Sequence, residues 1–134
     1  MFDPGSFVRV VIFGVVYAGI EYRYVNRYEA EWTKSAPGFS EKPVFWVISP
    51  YHFYLLLPLF VAVSYAPSIT AWAGNTFFLA VIEDAVYFMW RRKPVAKGDW
   101  TTTLMGSLRA GSLVVPVWWP LDTLVAAVLF WLPF

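Results

Sequence analysis

Two adjacent acids, Glu83 and Asp84, lie inside an apolar run, Ile69 to Trp90, that is long enough to cross a lipid bilayer. An ionisable side chain in a membrane span costs about 2.5–3.5 kcal/mol on insertion scales, so it normally has a partner or a function. His52, the only histidine of the chain, lies in the preceding apolar run. Carboxylates and an imidazole at such depth can take up protons, bind cations or pair with basic side chains.

The spacing places these groups at a similar depth. Glu83 lies about 10 Å, and His52 about 12 Å, inside the same end of their runs at 1.5 Å per helical residue. Glu21 lies where the first apolar run ends. The loop 66–68 is so short that the second and third runs must form an antiparallel pair. We therefore predict one ion- or proton-handling cluster near the cytoplasmic side, formed by Glu83, Asp84, His52 and Glu21.

Three roles are open for the acids. In the first they are structural and pair with Arg91, Arg109, tyrosine hydroxyls or His52; Asp122 is a further candidate for a structural ion pair. In the second, a desolvated carboxylate takes up and releases a proton. In the third, His52, Glu83 and Asp84 hold a metal whose identity is unknown. Oxygen-rich ligands suit Mg, Mn, Ca or non-haem iron better than copper.

The composition predicts a membrane protein. Of the 134 residues, 59% are hydrophobic and 14% are charged, against about 25% charged in soluble domains. A chain this short cannot bury so much apolar surface in its own core, so the lipid bilayer is its expected partner. The absence of cysteine excludes a Cys-ligated cluster, and the sequence requires no cofactor. The net charge of +1 and the lack of a basic stripe argue against nucleic-acid binding.

Four apolar runs predict an all-α integral membrane protein of the cytoplasmic membrane. Its single domain, 1–134, has about four transmembrane helices, at 7–24, 44–65, 69–90 and 112–133. Ser6 and Ser68 are the expected N-caps of the first and third helices. The first helix is expected to extend into the cytoplasm, and prolines are expected to kink the second and fourth. For the last run, a short helix that starts at Pro120, with Asp122 in its first turn, is the alternative.

The basic residues predict the orientation. All of them except Arg9 lie in or beside the loops 25–43 and 91–111. The positive-inside rule makes these loops cytoplasmic, which gives an N-out/C-out topology. Within the second loop, Asp99 is expected to cap a short polar helix that ends near Arg109. The candidates for contact with phospholipid headgroups are Arg92, Lys93 and Lys97.

One short segment resembles a known family. Glu83–Phe88 resembles the acidic-pair-plus-aromatics motif of membrane-embedded lycopene cyclase half-domains, over six residues. The proline that usually precedes the acids is absent, since Val81 and Ile82 stand in its place. The resemblance implies at most a membrane enzyme whose carboxylates protonate a polyene.

The sequence favours a non-catalytic role. Phosphate-binding loops and HExxH are missing, and one histidine makes a hydrolytic triad unconvincing. The main expectation is an accessory or assembly subunit of a larger membrane complex or homo-oligomer, in contact with other membrane subunits or copies of itself. The alternatives are a proton- or ion-coupled oligomeric transporter or channel that uses Glu83, and a membrane-embedded enzyme or metal site.

Overall fold

The computed structural model describes residues 2–25, 51–103 and 105–132, which are mostly helical and include a two-stranded sheet. Helix α1, Pro4–Ile20, continues as a π-helix over Glu21–Val25, and a second π-helical segment, His52–Leu56, leads into α2, Leu57–Val63. The remaining elements are α3 (Ile69–Arg91), α4 (Trp100–Thr103), β1 (Ser107–Ala110), β2 (Leu113–Pro116) and α5 (Trp118–Trp131). The predicted extension of the first helix beyond residue 25, most of the first loop and residues 44–50 lie outside the described residues.

Helix α3 is the central element and packs against both α1 and α5. Its bounds agree with the predicted run, and Ser68 caps it as predicted, since the hydroxyl accepts from the backbone N–H of Ala71 at 3.4 Å. Glycines allow α3 to approach both α1 and α5 closely. A Cβ on Gly14 would lie 2.9 Å from Ile82, and one on Gly74 would lie 2.8 Å from Phe130. Small residues at such contacts let helix backbones approach closely, as they do in lipid.

The four longer helices run up, down, up and down. The guanidinium of Arg9 donates to the carbonyl oxygens of Val63, at 3.0 Å, and Tyr65, which places the start of α1 beside the end of α2. The hydroxyl of Thr70 donates to the carbonyl of Leu132 at 3.1 Å, which places the start of α3 beside the end of α5. The first and last described residues therefore lie at one end of the bundle, and their orientation across a membrane stays a prediction.

The start of α1 differs from the prediction. Asp3, and not Ser6, is the N-cap, because its carboxylate accepts from the backbone N–H groups of Gly5 and Ser6 at 3.3 and 3.2 Å. Pro4 takes the first helical position, where its missing N–H costs nothing. Hydrogen bonding by Ser6 lowers the pKa of Asp3 below its ordinary value. Ser6 is instead buried and accepts from the amide of Asn75 at 2.9 Å.

The last apolar run is not one kinked helix. Its first part belongs to a β-hairpin in which Ala110 pairs with Leu113 across a two-residue turn. Gly111 has φ 61°, the left-handed conformation that such turns need. Helix α5 begins only at Trp118, so Pro120 lies in its first turn and causes no kink. Asp122 consequently falls beyond the first turn, in contrast to the predicted alternative.

The hairpin also replaces most of the predicted polar helix. Helix α4 begins directly after Asp99, as predicted, but ends at Thr103, and Arg109 lies on β1. The backbone N–H of Val117 donates to the carbonyl of Gly106 at 3.1 Å and closes the base of the hairpin. The fold is therefore mostly helical but not all-α.

By length and composition alone, one described helix is long and apolar enough to cross a membrane: Pro4–Val25, with 22 residues and a mean hydropathy of 1.4. Two further helices, His52–Val63 and Trp118–Trp131, are apolar but shorter. Helix α3 has 23 residues, but it carries the buried polar side chains of Asn75, Glu83 and Asp84.

Candidate functional site

The two adjacent acids of α3 face different neighbours. Consecutive residues of an α-helix are rotated by about 100° around its axis, so Glu83 and Asp84 cannot share one face. Both side chains are buried, with exposed fractions of 5% and 0%. Glu83 meets the end of α1, whereas Asp84 meets α4 and the start of α5. The single predicted cluster is therefore divided into two sites.

The Asp84 carboxylate accepts two hydrogen bonds on one oxygen. The Thr101 hydroxyl donates to Oδ2 at 2.5 Å, and the Trp119 indole Nε1–H donates to the same oxygen at 2.8 Å. Hydrogen bonds to a charged acceptor are about twice as strong as those between neutral groups. The other oxygen, Oδ1, is buried and has no hydrogen-bond partner among the described residues.

A second indole extends this site. The Nε1–H of Trp118 donates to the carbonyl oxygen and the hydroxyl of Thr101, at 3.0 and 3.1 Å. We call Asp84, Thr101, Trp118 and Trp119 the Asp84 network. It joins α3, α4 and α5, and so fixes the hairpin that connects the last two helices.

Arg91 forms a structural ion pair, but its partner is Asp99 and not Asp84. Its guanidinium lies 3.3 Å from Oδ1 of Asp99, in the loop before α4, and 5.4 Å from the centre of the Phe88 ring. The loop supplies a closer carboxylate than the one two turns back along the helix. The other predicted ion-pair residues, Arg109 and Asp122, make no hydrogen bond or ion pair with either acid within the described ranges.

Glu83 and Glu21 form the second site. Their side chains are hydrogen-bond partners across the contact between α3 and the π-helical end of α1. Glu21 has an exposed fraction of 7%. Each side chain keeps one buried oxygen that has no partner in the part of the chain that the structure describes, namely Oε2 of Glu21 and Oε1 of Glu83. We call these two residues the carboxyl pair, which the sequence placed in one cluster.

Two tyrosines lie beside the carboxyl pair. The hydroxyl oxygens of Tyr17 and Tyr51 are 2.8 Å apart, and Tyr51 is fully buried. Both phenols are close enough to Glu21 and Glu83 to interact with them electrostatically. Neither Tyr17 nor Tyr51 was among the candidate site residues that the sequence indicated. The spacing of Tyr17 and Glu21, one helical turn apart, was the available signal.

His52 lies near the sites but does not complete a metal centre. Its ring packs edge-on against Tyr51, with ring centres 5.1 Å apart, and it interacts electrostatically with Asp84. The described residues contain no group of three or more His, Asp or Glu side chains that could hold a metal ion. His52, Glu83 and Asp84 therefore do not form a three-ligand set. The headgroup candidates Arg92, Lys93 and Lys97 are exposed beyond α3.

No protein-family model, curated protein or solved structure matches this chain.

Proposed function

We propose that the protein is a small polytopic protein of the cytoplasmic membrane, acting as a non-catalytic accessory or assembly subunit of a larger membrane complex or of a homo-oligomer. The observation that carries this proposal is the Asp84 network. The carboxylate that most suggests chemistry accepts from the chain's own Thr101 and Trp119. A buried acid held in this way joins three elements of the fold and supports their packing.

The outward faces of the helices support this role. Large apolar side chains are exposed at helical spacing on α1, where Val8, Ile12 and Val16 have exposed fractions of 54%, 59% and 57%. On α5, Leu124 is 62% and Val128 is 53% exposed. Monomeric soluble proteins rarely expose such continuous apolar patches. Lipid or another membrane chain would cover both faces.

The distribution of basic side chains supports an N-out/C-out topology. Arg91, Arg92 and Lys93 lie at the end of α3, whereas Arg9 lies at the other end of the bundle. Arg9 also donates to backbone carbonyls, so its guanidinium is partly satisfied within the protein. The cluster at the end of α3 would face the cytoplasm, where it can contact anionic headgroups.

Extraction in a mild detergent followed by mass spectrometry of the intact assembly tests the proposal. We expect a complex of fixed stoichiometry, containing either defined partner subunits or copies of this chain. Matched variants locate the interface: Ile12→Trp and Leu124→Trp add similar bulk to similarly exposed positions of α1 and α5. One of them should disrupt the assembly, while the other, which faces lipid, leaves it intact. A monomer without any partner in native membrane extracts would overturn the proposal.

The carboxyl pair favours a second candidate function, a proton- or ion-coupled oligomeric transporter or channel that uses Glu83. A buried acid next to another acid is the arrangement that proton relays in membranes use. Flux measured in liposomes separates the two candidates. A transporter would lose flux in Glu83→Gln while its oligomer survives, whereas an assembly subunit would show no flux in either form.

A further inference from the structure

The contact between Glu21 and Glu83 has a chemical requirement of its own. An ionised carboxylate has only hydrogen-bond acceptors, whereas a protonated one has an O–H donor. Two carboxyl groups can therefore hydrogen-bond only when one of them carries a proton. The structure makes these side chains hydrogen-bond partners and buries both. We propose that the carboxyl pair is a binding site for a single proton, which joins α1 to α3.

Among the described residues, no basic side chain neutralises the carboxyl pair. The described acidic and phenolic groups that interact electrostatically with the pair are Tyr17 from α1, Tyr51 from the segment before α2 and Asp84 from the neighbouring face of α3. His52 lies beside Tyr51 and interacts with Asp84. None of the described lysines or arginines forms an ion pair with Glu21 or Glu83. Two bare carboxylates in this position would repel each other with little screening, because both are away from water.

The backbone is irregular next to the carboxyl pair. The π-helical end of α1 begins at Glu21, and the second π-helical segment begins at His52, next to Tyr51. The hydrogen bond between Tyr17 and Tyr51 brings the two segments together. π-Helical turns are rare and are frequently found at functional sites. The shared proton thus lies where both neighbouring helices leave regular α-helical geometry.

The site gives the fold a definite pH dependence. The folded chain holds a proton at the pair that the separated, solvated side chains of the unfolded chain release more readily. Stability therefore falls as the pH rises above the range in which the unfolded carboxyls ionise, and it stops falling once the folded pair has lost its proton. Between the pH at which the unfolded carboxyls lose their protons and the pH at which the folded pair loses its own, the unfolding equilibrium constant should rise by about tenfold per pH unit. The inference does not depend on whether the protein is an assembly subunit or a transporter.

Infrared spectroscopy of the full chain in lipid nanodiscs tests the site, because a protonated carboxyl has its own C=O band that shifts in D₂O. We expect the native chain to show one such band at neutral pH, which is absent in Glu21→Gln and in Glu83→Gln. In each variant, the amide N–H takes over the role of the proton. Asp84→Asn is the matched control, since it removes the adjacent buried acid, and it should keep the band.

Three outcomes would overturn the proposal: no protonated carboxyl band in the native chain, a band that both Gln variants keep, or a band that only Asp84→Asn removes. A stoichiometric metal ion, found by elemental analysis and lost in both Gln variants, would assign the pair to a cation instead. If the variants fail to fold, titration of the native chain decides. The band must then disappear at the upper end of the pH range over which thermal stability falls, where the fall levels off.

Discussion

Asp84 and Glu83 are neighbours in the sequence, are equally buried, and have opposite partners. Asp84 is surrounded by donors, since a hydroxyl and an indole N–H both point at one of its oxygens. Glu83 meets another acid. The first arrangement suits a charged carboxylate, and the second requires a proton. Two acids of one helix can thus differ in role because the rotation of about 100° between consecutive residues turns them towards different elements.

A buried acid does not by itself indicate a reactive site. The partners decide whether the group is fixed in one protonation state or shares a proton. At Asp84 the partners come from α4 and α5, so the carboxylate supports the hairpin between those helices. At Glu83 the partner comes from α1, and the hydrogen bond depends on one proton.

The largest expected effect comes from removing the acceptor of the Asp84 network. Asp84→Leu leaves the Thr101 hydroxyl and the Trp119 indole N–H buried without a partner, and each lost partner costs about 1–3 kcal/mol. We expect the free energy of unfolding, measured by SDS titration in mild detergent, to fall by about 3 kcal/mol or more. Asp122→Leu is the control, because Asp122 makes no hydrogen bond within the described ranges, and it should cost far less. Equal losses would show that the network contributes no specific stability.

A smaller effect should come from one donor of the network. Thr101→Val keeps the shape of the side chain but removes the hydroxyl that donates to Asp84. Since hydrogen bonds to charged groups contribute about 1.5–3 kcal/mol, we expect a loss of about 2 kcal/mol. Thr102→Val is the matched control. Thr102 is also buried, but within the described ranges its hydroxyl hydrogen-bonds to the backbone of Asp99 and Gly98 and to no carboxylate, so a loss of about 1 kcal/mol is expected. A larger loss at Thr102 would contradict a charged Asp84, and thermal unfolding of both variants measures the order.

The central helix could be predicted because its signals are local. A serine cap, a long apolar run and a basic end fix both limits of α3 to within a residue. The contact between Glu21 and Glu83 could also be predicted, because the helical rise of 1.5 Å per residue places both side chains at a similar depth. The division between the two acids did not follow, because it depends on which element packs against each side of α3. Asp99 replaced Asp84 as the partner of Arg91 for the same reason: the competing carboxylate comes from a loop.

The hairpin shows a second limit of the sequence pattern. Its signal was present, since Gly111 and Ser112 form a two-residue turn between Ser107–Ala110 and the β-branched residues of Leu113–Pro116. The length of the apolar run from 113 to the end of the chain favoured a transmembrane helix over a strand. A hydrophobic run fixes burial or lipid contact but not the period of the backbone, and a short strand cannot be separated from a helix on that basis. A buried indole N–H normally has a hydrogen-bond acceptor, so Trp118 and Trp119 were the sequence signal that could have indicated the Asp84 network.

The smallest losses of stability are expected from neutralising each acid without changing its shape. These two variants test most directly whether Asp84 is ionised and Glu83 shares a proton. Glu83→Gln should not lower the free energy of unfolding at neutral pH, because the new amide N–H can donate to Glu21 as the proton did and folding no longer has to take up a proton. Asp84→Asn should cost about 1 kcal/mol, because hydrogen bonds to a neutral acceptor are about half as strong as those to a carboxylate. SDS titration of both variants at one pH gives the order. If Glu83→Gln lowers the free energy of unfolding more than Asp84→Asn does, Glu83 is ionised in the native chain, and its contact with Glu21 does not hold a proton. The two neighbouring acids would then have exchanged the roles that their hydrogen bonds assign to them.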